Sequence, residues 1–139
     1  ASFVYRARRP FHPRRFFGLV QSEWPGVVRS KGFFWLASHP ALAGSWSQAG
    51  AVARHGPAGH WWAAVEAERW PRDPESVQRI LDKWVDGVGD ARQELVLIGM
   101  GMDEQALRAL LDECLLTDAE MAMGPQAWTQ WDNPFPGWN

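Results

Sequence analysis

The 139-residue chain has few of the features that mark a secreted or membrane-spanning protein. Its one cysteine, Cys114, cannot form a disulfide within the chain. Its longest uncharged stretch, residues 32–53, is interrupted by His39, Pro40 and several serines and glycines, whereas a bilayer helix needs about 20 mostly apolar residues. No basic segment followed by an apolar one opens the chain, as a secretion signal would require. These absences predict a cytoplasmic protein.

Acidic residues are almost missing from the first 60 positions. That part holds eight of the 14 Lys and Arg residues but only one of the 16 acids, Glu23. The split has two explanations, which remain open at the level of sequence. It indicates a basic interaction face, or two halves that neutralise each other on folding.

Motifs for nucleotide binding and catalysis are also missing. No Gly-x-x-x-x-Gly-Lys-Ser/Thr pattern occurs, and Gly99-Met100-Gly101 lacks the third glycine of a dinucleotide site. Cys114 falls on the apolar stripe of a predicted helix, which favours packing over nucleophilic catalysis. The neighbouring acids Glu66 with Glu68, and those at 112 and 113, are expected to be solvated. We therefore expect the chain not to be an enzyme on its own.

Histidine occurs only in the first 60 residues, at four positions. His55 and His60 flank a predicted turn, so their side chains could meet and bind zinc. Their spacing matches no standard zinc site, which needs three or four convergent ligands. Exposed or singly hydrogen-bonded histidines are the alternative.

Tryptophan is abundant instead. The chain has ten, too many for a core of this size to bury completely, because each ring is large and its N–H needs a partner. Some are expected at an interface.

The hydrophobic pattern predicts the order strand, helix, three strands, helix, strand, helix. Predicted helices begin near Pro13, Asp73 and Asp103, and Thr117 with Glu120 forms a capping-box pattern for a final helical turn. Strands are predicted at residues 2–8, 27–38, 45–54, 60–66 and 94–100, the third and fourth forming a hairpin around a turn at 56–59.

This order predicts an α+β fold, close to a ferredoxin-like βαββαβ-type sandwich. We expect a mostly antiparallel sheet with helices on one face, plus an extra strand and a C-terminal helix. Residues 1–124 would form this domain, and residues 125–139, rich in Trp and Pro, would form a tail packed on it.

The strand at 27–38 has two chemically different faces. If its pleat is regular, Arg29, Lys31, Phe33 and Trp35 share one face. Cations next to aromatic side chains fit docking on an acidic protein surface. The alternative is that the two aromatic residues belong to the core and the cations contact neighbouring strands.

The same strand suggests a second function. Residues 31–36 resemble the start of the ribonucleoprotein signature of RNA-recognition domains. Phe34 replaces the small residue of that signature, and the motif falls on the second strand rather than the third. A module that binds single-stranded RNA is therefore the alternative function.

Several longer segments resemble the C-terminal domain of the CobW family of GTPases. They are the stretches at 3–13, 29–37, 46–50, 92–99, 102–103 and 115–120, which follow the family's order and cover nearly the whole chain. The resemblance implies a parent P-loop GTPase in metal homeostasis, commonly a zinc metallochaperone, with some relatives serving cobalt insertion for cobalamin. GTP and Mg²⁺ would bind only in an N-terminal domain, whose Walker A and Cys-x-Cys-Cys motifs have no counterpart here.

The resemblance also implies an accessory role. The domain would dock on its own N-terminal GTPase domain, transmit the nucleotide state and recognise a metal-receiving client protein. It would hold no cofactor of its own, and nucleic acid and membrane are not expected partners. The predicted interface residues are Arg9, Arg29, Lys31, Phe33 and Trp35.

Overall fold

Five strands and five helices make up the fold. They are seen in a computed structural model that describes residues 1–138; Asn139, the last residue of the predicted tail, lies outside the described residues. The strands are β1 (Ser2–Ala7), β2 (Val27–Trp35), β3 (Leu42–Ala49), β4 (Val52–His60) and β5 (Gln93–Gly99). The helices are α1 (Pro13–Val20), α2 (Pro74–Asp82), α3 (Glu104–Asp112), α4 (Asp118–Met123) and α5 (Pro125–Trp128). Two short 3₁₀ turns, Trp62–Ala64 and Ala67–Arg69, lie between β4 and α2.

Four of the five helices begin where a side chain accepts a free backbone N–H group of the first turn. Asp73 accepts from the Ser76 amide at 2.9 Å to start α2, and Asp103 caps α3 in the same way. Thr117 and Glu120 form a complete capping box at α4. These predicted helix starts are confirmed.

The sheet is antiparallel throughout, with the strand order β1-β5-β2-β3-β4. Because β1 and β2 both run antiparallel to β5, they are parallel to each other, with α1 crossing between them. A βαβ unit split by an antiparallel strand is typical of ferredoxin-like sandwiches. The predicted α+β class is confirmed. The nearly continuous apolar sequence of β5 fits its place inside the sheet.

The hairpin predicted around residues 56–59 is wrong. Ala49 pairs with Val52, so the turn between β3 and β4 lies at residues 50–51. Gly56 and Pro57 lie within β4 and pair with β3. Proline is tolerated there because β4 is an edge strand, where a residue needs no N–H for a further neighbour. The strand predicted at 60–66 is replaced by the first 3₁₀ turn.

One face of the sheet carries the main core. Phe16 and Leu19 of α1 and Leu107 and Leu111 of α3 pack on it. Side chains after α5 complete the cluster. Its buried members are Phe3, Tyr5, Phe11, Phe16, Leu19, Phe34, Leu36, Trp46, Leu95, Leu97, Leu107, Leu111, Cys114, Phe135 and Trp138.

The expectation that helices cover only one face needs correction, because α2 lies against the other. Lys83, which follows α2, approaches the Glu94 carboxylate at 3.9 Å on the outward side of β5. Trp61 packs with Trp35 and Ala43 in a small second cluster on that side. Ile80 of α2 is buried and lines the same cavity as Ala43 and Trp61, so α2 covers part of this face. The rest of that face stays uncovered.

None of the helices within residues 1–138 combines the length and the apolar character needed to cross a membrane.

Candidate functional site

The uncovered part of the second sheet face, here called the open face, is the first candidate site. Strand pairing places Lys31 between Val96 and Ser47, and Phe33 between Glu94 and Ser45. The open face includes Val4, Arg6, Arg29, Lys31, Phe33, Ser45, Ser47, Arg54, Glu94, Val96 and Ile98. Four of these residues are cations and one is an acid, so the face is basic.

Three of the predicted interface residues lie together on this face. The register shift in β2 falls between Val27 and Arg29, so the pleat from Arg29 onward is regular. Phe33 is 42% exposed, whereas Trp35 is only 7% exposed, because the neighbouring Trp61 packs on it. Arg29, Lys31 and Phe33 are thus available on the surface, and Trp35 is buried at its margin.

The fifth predicted interface residue, Arg9, lies elsewhere. Its guanidinium donates to the Leu116 carbonyl at 3.1 Å and to the Asp118 carboxylate at 2.6 Å. These contacts place Arg9 beside the start of α4, away from the open face.

Glu94 is neutralised by its surroundings. Its Oε1 lies 3.3 Å from Nε of Arg92, 3.5 Å from Nε of Arg6 and 3.9 Å from Nζ of Lys83. Burial alone would raise the pKa of this carboxyl, but Arg92 and the other two cations together hold it below its ordinary value. Glu94 therefore stays ionised and paired, and it does little to offset the basic character of the open face.

A groove of about 420 Å³ lies beside the open face and is here called the α2 groove. Phe33 belongs to both features. The lining includes aromatic and aliphatic side chains and three cations, namely Phe33, Ala43, Ala58, His60, Trp61, Trp62, Arg79, Ile80, Lys83 and Arg92.

The wall of the α2 groove is held in place by a buried acid. Both oxygens of Asp90 are used, since they accept from the backbone amides of Trp62 at 3.0 Å and Ala63 at 2.9 Å. The Arg92 guanidinium carbon lies 5.9 Å from the centre of the Trp61 ring, in cation–π geometry. Sequence reasoning missed this groove because its parts come from five separate segments, and only the Trp61-Trp62 pair gives a local signal.

The two candidate zinc ligands are not brought together. His55 stacks on Trp46 with ring centres 6.0 Å apart, on the core side of the sheet, and burial lowers its pKa. His60 lines the α2 groove on the other side. In residues 1–138 no three His, Cys, Asp or Glu side chains are grouped so that they could hold a metal ion.

The RNA-binding alternative finds little support in this geometry. RNA-recognition domains stack two or three bases on exposed aromatic side chains of the sheet. Among the aromatic residues of the motif, Phe34 is fully buried and Trp35 nearly so. Phe33 alone is left to stack on a base.

Comparison with known proteins identifies the family. The family model described as "Cobalamin synthesis protein cobW C-terminal domain" matches residues 1–115. This chain belongs to the CobW C-terminal domain family. The resemblance deduced from the motifs is thereby confirmed.

Two relatives of this CobW C-terminal domain have names that mention zinc. A protein of Dictyostelium discoideum named zinc-regulated GTPase metalloprotein activator 1 is 39% identical over 96% of this chain and 29% of its own length. A zinc chaperone of Mycobacterium tuberculosis is 35% identical over 97% of this chain and 34% of its own length. This CobW C-terminal domain thus spans about a third of the length of the curated relatives it matches.

The fold of this CobW C-terminal domain also occurs in a solved structure. The Zn(II)-bound YjiA GTPase from E. coli superimposes with a TM-score of 0.54, 14% sequence identity, and coverage of 84% of this chain and 30% of that one. At this identity the match shows the fold alone.

Proposed function

We propose that this domain is the accessory part of a longer CobW-family GTPase in zinc homeostasis, and that its open face docks on the GTPase domain of the same polypeptide. The relatives named as a zinc chaperone and a zinc-regulated GTPase support the metal, and their greater length supports the additional domain. GTP, Mg²⁺ and the chemistry of hydrolysis belong to that additional domain. Zinc is the cargo of the whole protein.

The observation that carries the docking proposal is the set of cations without ionic partners on the open face. Arg29, Lys31 and Arg54 form no ion pair within residues 1–138. Phe33 and Ile98 are 42% and 46% exposed beside them. Exposed apolar side chains thus alternate with unpaired cations along this face, a mixture that suits a protein interface with an acidic partner.

The partner surface should complement this pattern. We expect acidic side chains opposite Arg29 and Lys31 and an apolar side chain opposite Phe33, because charge complementarity fixes the register of docking and disfavours wrong partners. If the acidic side chains move with the nucleotide state of the GTPase domain, docking on the open face transmits that state. Recognition of the metal-receiving client is the second part of the proposed role.

A binding measurement tests the docking. The GTPase domain of the same polypeptide is titrated with this chain by calorimetry, in its GDP and GTP-analogue states. Arg29→Glu with Lys31→Glu should weaken docking at least about tenfold, the effect of 1.4 kcal/mol. Arg69→Glu with Arg72→Glu is the matched control, because both arginines are exposed and lie outside the open face.

Two outcomes would contradict the proposal. One is equal affinity of the wild-type chain and the open-face variant. The other is unfolding of the open-face variant under conditions where the control stays folded, which would show that the two cations serve the structure of the sheet.

A further inference from the structure

We propose that the α2 groove is a second binding site, which takes an acidic peptide segment of a partner protein through an aromatic or long aliphatic anchor residue. This site goes beyond docking on the GTPase domain and does not depend on it. The two sites share Phe33 at their border and are otherwise formed by different residues.

The shape of the groove suits a side-chain anchor. Its volume of about 420 Å³ falls in the range of pockets that bind small ligands. The apolar part of its lining comes from Phe33, Ala43, Ala58 and Ile80, with Trp61 and Trp62 beside them. Burial of an anchor against these side chains supplies the apolar part of the affinity.

The charge of the groove selects an acidic ligand. Arg79 donates to the Ser76 hydroxyl at 3.0 Å, and no carboxylate of residues 1–138 lies within ion-pair distance of it. Lys83 and Arg92 add two further cations, which share the Glu94 carboxylate. The one acid of the described lining, Asp90, is 4% exposed and already binds two backbone amides. The three cations outnumber the two carboxylates, Asp90 and Glu94, and Arg79 supplies the unpaired positive charge that a ligand meets.

The groove is also preorganised. Trp70 donates through Nε1 to the carbonyls of Trp62 at 3.2 Å and Val65 at 2.9 Å, which fixes the 3₁₀ segment behind the wall. Trp and Arg in a rigid pocket are the residue types that dominate binding energy in protein interfaces. The indole N–H of Trp61 has no acceptor in residues 1–138, so one donor of the groove wall lacks the hydrogen bond that buried polar groups usually make.

A random peptide library displayed on phage tests the ligand class. The library is selected on the 139-residue chain, and enriched peptides are synthesised with a fluorescent label and titrated by anisotropy. We expect Asp and Glu to be enriched around an aromatic residue or leucine. Replacement of the Asp and Glu residues by Asn and Gln should weaken binding at least about tenfold.

Two variants locate the binding in the groove. Arg79→Glu with Lys83→Glu reverses the charge, and Ala58→Trp fills the groove from the exposed edge strand while every cation stays in place. Each should weaken binding at least about tenfold, and the control Arg69→Glu with Arg72→Glu should leave it unchanged.

The open-face variant separates the two sites. Arg29→Glu with Lys31→Glu should retain peptide binding while it weakens docking on the open face.

Several results would overturn the proposal. These are a selection without acidic enrichment, enriched peptides that bind the Ala58→Trp variant normally, and binding lost only in the open-face variant. Tighter binding of single-stranded RNA than of the selected peptides, abolished by the same groove variants, would also overturn it and assign the groove to nucleic acid.

Discussion

Gln93 shows how much of the fold depends on single buried side chains. It is fully buried at the start of β5. Its Oε1 accepts from the Trp35 amide at 2.9 Å, and its Nε2 donates to the carbonyls of Arg9 and Trp35, both at 2.9 Å. One amide thus joins the end of β2 to the segment after β1, beyond the last regular strand pairs, and leaves none of these backbone groups unpaired.

Replacement of this amide should be costly. We expect Gln93→Leu to lower the free energy of unfolding by about 2–4 kcal/mol, because it leaves the Trp35 N–H and the Arg9 carbonyl buried without partners. The Trp35 carbonyl keeps its bond from the Phe11 amide at 2.8 Å. Urea unfolding measures the change. Gln78→Leu is the control, since Gln78 is exposed on α2, and its effect should stay within about 0.5 kcal/mol. Equal losses for the two variants would show that the Gln93 hydrogen bonds contribute no special stability.

The separation of His55 and His60 leads to a prediction about zinc. Because the two side chains lie on opposite sides of the sheet, we expect zinc titrated into this chain against a chelating dye to show no tight one-to-one binding that depends on either. His55→Ala and His60→Ala should give the wild-type titration curve at neutral pH. Tight binding lost in both variants would mean that the chain carries zinc itself.

At the scale of elements, residues next to each helix start were enough to predict the helices. The position of the turn between β3 and β4 depends instead on how the strand packs in the folded sheet. Asp73, Asp103 and Thr117 mark helix starts because each satisfies N–H groups within its own first turn, so no distant residue is needed. Pro57 was misread as part of a turn because Gly and Pro usually break strands. That rule does not hold at a sheet edge, and the sequence alone does not reveal which strand is the edge.

The same limit applies to the candidate sites. The alternation of β2 placed Arg29, Lys31 and Phe33 on one face correctly. It did not show that Trp35, two residues further on, lies under Trp61. The α2 groove was missed for the same reason, since it exists only after distant segments have packed together.

An ion pair between α1 and α4 makes stability depend on pH. Arg15 contacts both carboxylate oxygens of Glu120, at 3.0 and 2.7 Å, and this hydrogen bonding lowers the pKa of Glu120 from 4.5 to about 2. A carboxyl whose pKa is lower in the folded state stabilises the fold above its unfolded pKa. That stability is lost as the pH falls from about 4.5 towards 2.

Unfolding in urea across this range tests the ion pair. We expect Glu120→Gln to lower the free energy of unfolding by about 1–2 kcal/mol at pH 7, because Arg15 is partly exposed to solvent. The difference from wild type should shrink as the pH approaches 2. Asp86→Asn serves as the control, since Asp86 is exposed and forms no ion pair in residues 1–138. A difference that stays constant with pH would exclude the ionised Glu120 as its source.

For the whole molecule, the uneven charge distribution is neutralised in one place and left in excess in another. The ion pairs Arg6–Glu94, Arg9–Asp118, Arg14–Asp132 and Arg15–Glu120 join the basic first half to the acidic second half. The folded halves therefore neutralise each other around the helices. The cations of β2 and β4 have no such partners in residues 1–138, and the excess positive charge remains on the open face.

The C-terminal segment decides how large the folding unit is. The family match ends at residue 115, yet Phe135 and Trp138 belong to the main core. The Phe135 ring lies 5.8 Å from that of Phe16 and 5.7 Å from that of Phe34, measured between ring centres. Residues beyond 124 thus contribute side chains to the centre of the domain, between α1 and the sheet.

Removal of these side chains should destabilise the whole domain. We expect Phe135→Ala to lower the free energy of unfolding by about 3–5 kcal/mol, as loss of a buried phenyl ring usually does. Since a domain of this size is stable by only about 5–15 kcal/mol, a chain that ends at Gly124 should unfold at a much lower temperature or fail to fold.

Gln130→Ala is the control, because Gln130 is exposed and the change should cost under about 0.5 kcal/mol. Calorimetric melting of the three variants distinguishes the cases. If the chain ending at Gly124 melts as cooperatively and as high as the full chain, residues 1–124 are the folding unit and the tail is an added layer; a large drop shared with Phe135→Ala makes the tail part of the core.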